Sequence, residues 1–304
     1  MAALMRRDFL KATTMAAVAA SGAPFLKAAA APEGRTMRLG LIVAMGRDPE
    51  SAVKKVHELG LPTAQLGTED LSDEQLNRMM AAVKNYGIEV TALNTHGPGP
   101  AVWDFYEGPE TIGLVPRKYR AARIEHMKRA SDFANRAGIP AIHGHLGFIP
   151  ENPNDPLYHE VVDAVREVVS HIKSNGQIML YETGQESPIT MLRCITDVGL
   201  DNQFVNLDTA NLILYGKGNP VDALDVIGKL VRGMHAKDGL FPTDPRNLGE
   251  EVPIGEGKVN FPVLFKRLKE LGYNGPVTIE REISGPKQVE DIEKSKAFLQ
   301  KLIA

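Results

Sequence analysis

The sequence predicts a closed (β/α)₈ barrel, and three observations predict it. From residue 37 onward, short apolar and β-branched runs alternate with longer stretches of helical periodicity, eight times over. The eight units occupy residues 37–304, close to the ~250 residues typical of such barrels. The first strand runs into "VAMGRDPE", which lacks the glycine-rich phosphate turn that an open doubly wound sheet more often carries there. No Pro-, Ser- or Gly-rich linker divides residues 37–304, so the region reads as one domain.

In chain order the strands are expected in "MRLGLIV", "TAQLGTE", "EVTALNTHG", "AIHGHLGF", "QIMLYETG", "FVNLDTAN", "GMHAKDG" and "PVTIERE". Between them lie helical stretches such as "PESAVKKVHELG", "SDEQLNRMMAAVKNYG" and "YRAARIEHMKRASDFANRAG". Gly60, Gly87, Gly138 and Gly176 close helical segments, where a left-handed C-cap is expected. Ser72 with Gln75 predicts a capping box at the second helix. The longest irregular stretches, residues 98–117 and 240–259, follow strands three and seven. Loops of that length in a compact domain are usually lids or binding loops.

Residues 1–31 read as a leader rather than as part of the barrel. Arg6-Arg7-Asp8-Phe9-Leu10-Lys11 precedes a short apolar stretch and then "KAAAAPEG", the order of a signal peptide. The paired arginines before Phe-Leu-Lys, with Lys27 after the apolar core, resemble a twin-arginine export signal. Such a signal implies an exported, periplasmic or otherwise extracytoplasmic protein that crosses the membrane folded. The apolar core is too short for a stable span, which needs about 20 apolar residues. Losing this leader would move the formal charge from −3 to −6. That acidity argues against nucleic acid as a partner and leans away from phosphorylated metabolites. Cys194 is the only cysteine, so an intrachain disulfide is excluded.

In a barrel, residues at the C-terminal ends of the strands share one mouth. Reading those ends gives Asn94, Thr95 and His96 on strand three and His143 and His145 on strand four. Glu182, Asp208, His235 and Glu280 follow on strands five to eight. A lone strand-end acid is commonly a loop cap or a surface group. Four such residues on consecutive strands form a set of three oxygens and one nitrogen, suited to one divalent ion: Mn²⁺, Co²⁺, Zn²⁺, Mg²⁺ or Fe²⁺. Without a cation, three facing carboxylates repel, and at least one would tend to hold a proton. His143 and His145, two apart, should point the same way. His145 lies nearer the strand end and is the candidate, with His143 assigned to lower barrel filling. Trp103 has no assigned chemistry.

The run from "MHAKDG" through "VPIGEGKVNFPVLFKRLKELGYNGPVTIERE" resembles the xylose-isomerase-like TIM barrels, closest to their sugar (phosphate) isomerase/epimerase group. His-x-Lys-Asp, Pro-x-Gly-x-Gly and Gly-Tyr-x-Gly-Pro with a strand-end Glu carry the resemblance jointly, and it extends over residues 37–304. It implies one divalent ion held by Glu182, Asp208, His235 and Glu280. It also implies Glu182 and Glu280 as the acid and base on opposite faces of a bound sugar. The reaction expected is sugar isomerisation or epimerisation through an enediolate, with a lyase or dehydratase acting on a keto-glycoside or inosose as the alternative. His96, His145, Glu186, Asn211 and Lys237 are candidate substrate contacts. Asn211 stands where the related endonuclease IV and several epimerases carry histidine, which speaks against a multi-zinc nuclease. A sugar-binding protein without turnover would not need the second glutamate. The substrate expected is a non-phosphorylated carbohydrate. Related barrels often form dimers or tetramers, so a homo-oligomer is left open.

Overall fold

In a computed structural model describing residues 36–304, the chain alternates strand and helix as expected. The first half contains β1 (Arg38–Ala44), α1 (Pro49–Glu58), β2 (Thr63–Gly67), α2 (Asp73–Tyr86), β3 (Glu89–Asn94), α3 (Gly108–Thr111), α4 (Arg117–Arg136) and β4 (Ala141–Gly144). Next come α5 (Pro156–Ser174), β5 (Ile178–Glu182), α6 (Pro188–Val198), β6 (Gln203–Asp208), α7 (Asn211–Leu214), α8 (Pro220–Ile227) and β7 (Val231–Ala236). The last elements are β8 (Asp238–Gly239), β9 (Glu251–Val252), α9 (Phe261–Glu270), β10 (Pro276–Ile279) and α10 (Pro286–Ile303). The strands β1 to β7 and β10 close into a parallel barrel in the order β1-β10-β7-β6-β5-β4-β3-β2. The leader and its paired arginines lie outside the described residues. Among the described residues no helix is long and apolar enough to cross a membrane.

The apolar core packs the strands against the buried helix faces. In α5, for example, Val161, Val165, Val168, Val169 and Ile172 are all buried at helical spacing. Each such side chain contributes about 1.5–3 kcal/mol of burial. Gly60, Gly87, Gly138 and Gly176 all take positive φ, as their closing positions predicted. The capping box forms only by half. Ser72 Oγ accepts from Gln75 N at 3.2 Å, but the Gln75 amide turns away and donates to Gly46 O at 2.9 Å. Ser72 N donates to Asp70 Oδ1 instead, so a nearer carboxylate takes the place of the glutamine.

Two buried side chains shape the long loops over the mouth. Arg123 donates to Pro98 O at 3.1 Å, Gly113 O at 2.7 Å and Pro100 O at 2.8 Å, pinning the loop that carries Trp103. Asp238 accepts from Gly255 N, Gly257 N and Val259 N at 2.9, 3.0 and 3.0 Å. A Cβ on Gly257 would come within 2.1 Å of Asp238 Oδ1, so only glycine fits there. The His-x-Lys-Asp and Pro-x-Gly-x-Gly motifs are therefore two halves of one device that folds the β7–α9 loop back on the barrel.

Candidate metal centre and active site

Strand register places the four predicted ligands on one face. Glu182 pairs with Asn206, and Asp208, two residues further along β6, points the same way. Asp208 pairs with His235, His235 pairs with Thr278, and Glu280 follows Thr278 by two. Parallel partners share a face and period-two neighbours keep it, so all four side chains enter the barrel. Glu280 stands one residue beyond β10, yet its N–H still donates to Ala236 O at 3.1 Å. One donor atom from each of Glu182, Asp208, His235 and Glu280 lies within 4.8 Å of the others.

The surrounding contacts fix these groups. His235 Nδ1 lies 3.1 Å from Glu182 Oε1, 3.2 Å from Glu280 Oε2 and 3.8 Å from Asp208 Oδ2. Its other nitrogen, Nε2, is 2.8 Å from Gln65 Oε1. Gln65 Nε2 donates to Asn206 Oδ1 at 3.1 Å, which turns the amide oxygen toward the imidazole. Nε2 must then carry the hydrogen, and in the neutral ring the Nδ1 lone pair faces the carboxylates, the arrangement of a metal-ligating histidine. Asp208 Oδ1 is occupied by Ala210 N and Asn211 N at 2.8 and 2.6 Å. Asp208 Oδ2 and Glu280 Oε2 are buried with no hydrogen-bond partner among the described residues. Two orphaned carboxylate oxygens beside an oriented imidazole fit a divalent cation.

Charge balance at the centre follows the repulsion argument. Burial raises the Asp208 carboxyl well above its usual range, and the charges of Glu280 and Glu182 add to that against Lys237. Burial alone would lower His235, but Glu182 and Glu280 outweigh it and hold the ring charged. Burial likewise works against ionised Glu182 and Glu280. The former is nonetheless held low by His145, His235 and His143, and the latter by Lys237 and His235. Free of metal, Asp208 and His235 are both shifted toward their protonated forms, in the direction that the crowding of three carboxylates predicts.

The remaining predicted residues divide into two groups. His145 Nε2 lies 2.9 Å from Glu182 Oε2. Asn211 Nδ2 donates to Glu182 Oε1 at 3.2 Å, and Lys237 Nζ donates to Asn211 Oδ1 and Glu282 Oε1 at 3.2 and 2.6 Å. His96 is exposed on the cavity wall, and its ring stacks near His145 with centroids 5.9 Å apart. His96, His145 and Asn211 line a cavity of about 810 Å³ over the barrel mouth, together with Glu182 and Glu280. Glu186 does not join them. It is buried off the cavity wall with both carboxylate oxygens unpartnered among the described residues, and burial pushes it up to about 8. The assignment of His143 to barrel filling is also corrected. Its Nε2 lies 2.9 Å from Glu182 Oε2, because it shares the inward face with His145 and sits one step nearer the centre.

Three further residues had no functional reading in the sequence. Gln65 acts from a strand across the barrel, beyond the reach of any local pattern. Glu69 accepts from His96 N at 2.8 Å and Gly97 N at 3.0 Å and lies 2.9 Å from His126 Nε2. It thereby ties the turn bearing His96 to the end of β2. Trp103 packs 4.7 Å from His145 and 5.5 Å from His96, centroid to centroid, on the cavity wall. An acid at a strand end, the signal applied to strands five to eight, would have found Glu69.

Comparison with known proteins agrees with this architecture. The profile of the family described as "Xylose isomerase-like TIM barrel" matches residues 53–302. The crystal structure of a xylose isomerase domain protein from Planctomyces limnophilus shares 35% identity and a TM-score of 0.83, covering 88% of this chain and 97% of that one. The L-ribulose-5-phosphate 3-epimerase UlaE of Salmonella typhimurium is 29% identical over 229 residues, which is 71% of this chain and 73% of that protein. A D-psicose 3-epimerase crystallised in the presence of D-fructose is similar in fold, with 19% identity, a TM-score of 0.66, and coverage of 88% of this chain and 99% of that one.

Proposed function

This chain belongs to the xylose isomerase-like TIM barrel family, and from that membership we propose a divalent-metal-dependent isomerase or epimerase of a non-phosphorylated (keto-)sugar. The observation that carries the reading is the donor cluster itself, with Nδ1 of His235 and the orphaned oxygens of Asp208 and Glu280 converging from three strands. When bound there, a divalent ion would supply electrostatic stabilisation of negative charge developing on the sugar's carbonyl oxygen.

The chain's own groups supply the proton transfers. A hydrogen on the carbon beside a carbonyl is weakly acidic, and its removal leaves an enediolate. One of Glu182 and Glu280 removes that proton and the other returns one to the opposite face. Lys237, held charged 3.5 Å from Glu280, keeps that carboxylate ionised and oriented. Asn211 bridges Lys237 and Glu182, and His143 and His145 each bring Nε2 to 2.9 Å from Glu182 Oε2. His96, exposed on the cavity wall, can form hydrogen bonds with sugar hydroxyls. The family's Salmonella relative is named for a phosphorylated sugar. The non-phosphorylated reading for this chain is supported by Glu69, Asp70 and Glu282 on the cavity wall, since Arg281 beside them is already engaged by Asp291 and Glu251.

The test is metal analysis of the purified protein with Glu182→Ala and Asp208→Ala. About one divalent ion per chain, lost in both variants, is expected. No metal, and no gain in thermal stability from added Mn²⁺, Co²⁺ or Zn²⁺, overturns the reading. Elimination on a keto-glycoside or inosose would use the same donor cluster and the same pair of glutamates. Product mass separates the two: retained in epimerisation, reduced by water or aglycone in elimination. We also propose export through the twin-arginine route, from Arg6, Arg7 and Lys27. Undiminished export of a variant with lysine at both arginines would refute that route.

A further inference from the structure

The barrel mouth is used on one side only. Ligand atoms come from β5, β6 and β7 and from the residue after β10, and the histidines that hold Glu182 come from β4 and its end. The cavity continues away from that centre, over the ends of β1 and β2, where its floor is made by Ala44, Gly46 and Gly67. A Cβ on Gly67 would meet only ordinary contacts, 3.7 Å to Ala44 Cα and 3.9 Å to Asn94 Cβ. Nothing lies within 4 Å of a Cβ on Gly46. Small residues therefore leave this half open.

Size and chemistry both say what could fill it. A single hexose displaces roughly six waters, about 180 Å³ at about 30 Å³ each. A cavity of about 810 Å³ has room for considerably more. The open half is bordered by Glu69, Asp70, Asn94 and Lys55. Glu69 is ionised there: burial pushes it up, but bonds from His126 and from His96 N–H hold it down at about 2. Its side chain remains 50% exposed. Trp103, 42% exposed, stands against His145 and so marks the boundary between the two halves. A carboxylate such as Asp70 accepts from vicinal hydroxyls, the Asn94 amide both accepts and donates, and an indole offers an apolar face to the C–H side of a pyranose. Glu69 and Asp70 disfavour a phosphate on this part of the wall, where the Lys55 ammonium is turned to Gln288 Oε1 at 2.6 Å.

We propose that the half of the mouth over β1 and β2 is a second sugar subsite, and that the substrate is a two-unit carbohydrate, a disaccharide or glycoside. The reacting unit sits between Glu182 and Glu280, and the second unit lies over Ala44 and Gly67 against Trp103 and Glu69. The inference rests on the proposed sugar chemistry of the centre. It adds that the non-reacting unit supplies binding energy, so that a truncated substrate is handled less well.

The test is calorimetric titration of Mn²⁺-supplemented protein with two matched pairs, D-fructose against lactulose and D-glucose against cellobiose. At least one disaccharide is expected to bind about tenfold or more tightly than its monosaccharide. That ratio should fall toward one in Gly67→Leu, which fills the floor, and in Trp103→Ala. Ala44→Leu fills the same floor from an exposed position and serves if Gly67→Leu fails to fold. Monosaccharides binding as tightly as their disaccharides, or a ratio unchanged in folded variants, overturns the second subsite and leaves the proposed sugar chemistry standing. Binding of neither class overturns both.

Discussion

At the scale of single residues, the candidate centre depends on groups that hold its ligands without being ligands themselves. Gln65 sets which nitrogen of His235 faces the carboxylates, and Asn206 sets Gln65. Gln65→Leu should leave the fold intact and weaken metal binding about 10- to 100-fold, measured by competitive chelation. An unchanged affinity would mean that the imidazole is oriented by packing alone. Glu280→Gln keeps the side chain's shape but cannot take a proton. Turnover should drop on the order of 10²–10⁴-fold, read as product formation at saturating metal. Full activity would remove Glu280 from the proton transfer. The four candidate ligands were legible because each is a charged or imidazole side chain interrupting an apolar run at a strand's end. Gln65 was not, since its meaning comes from partners 141 and 170 positions away. His143 was half legible: alternation predicted its direction but not its depth.

Among the elements, the strands and most helix ends were written locally, in β-branched runs and closing glycines. The segments over the mouth were not. Residues 98–117 and 240–259 read as long irregular loops, yet the first contains α3 and the second contains β9, which pairs with β8 just before it. What organises them is long-range and polar: the buried guanidinium of Arg123 and the buried carboxylate of Asp238. Asp238 follows one residue after Lys237, so the loop it gathers also frames the active centre. Asp238→Ala leaves several backbone N–H groups without their acceptor. It should destabilise the protein by about 3 kcal/mol, measured by urea unfolding, and lower activity through disorder around Lys237. Stability within experimental error of the parent would show that solvent replaces the carboxylate without cost.

For the molecule as a whole, Glu186 adds a pH dependence separable from catalysis. Its folded-state carboxyl is raised from the ordinary 4.5 to about 8 by burial. The folded state thus holds this proton more tightly than the unfolded chain does. The associated stability is full below about pH 4.5, declines as pH rises toward 8, and is gone above it. Glu186→Gln removes the titration. Its melting temperature should exceed the parent's at pH 8 by more than at pH 5, by an amount on the order of a few kcal/mol in stability. A parallel pH course in both proteins would place the group in contact with water or a cation. Two strands along the barrel from this acid, the loop pinned by Arg123 has a different kind of consequence. A guanidinium committed to three backbone carbonyls leaves the Trp103 wall already standing before any sugar arrives. On the proposed sugar chemistry, such a wall would select as a template does, refusing an ill-fitting visitor at encounter.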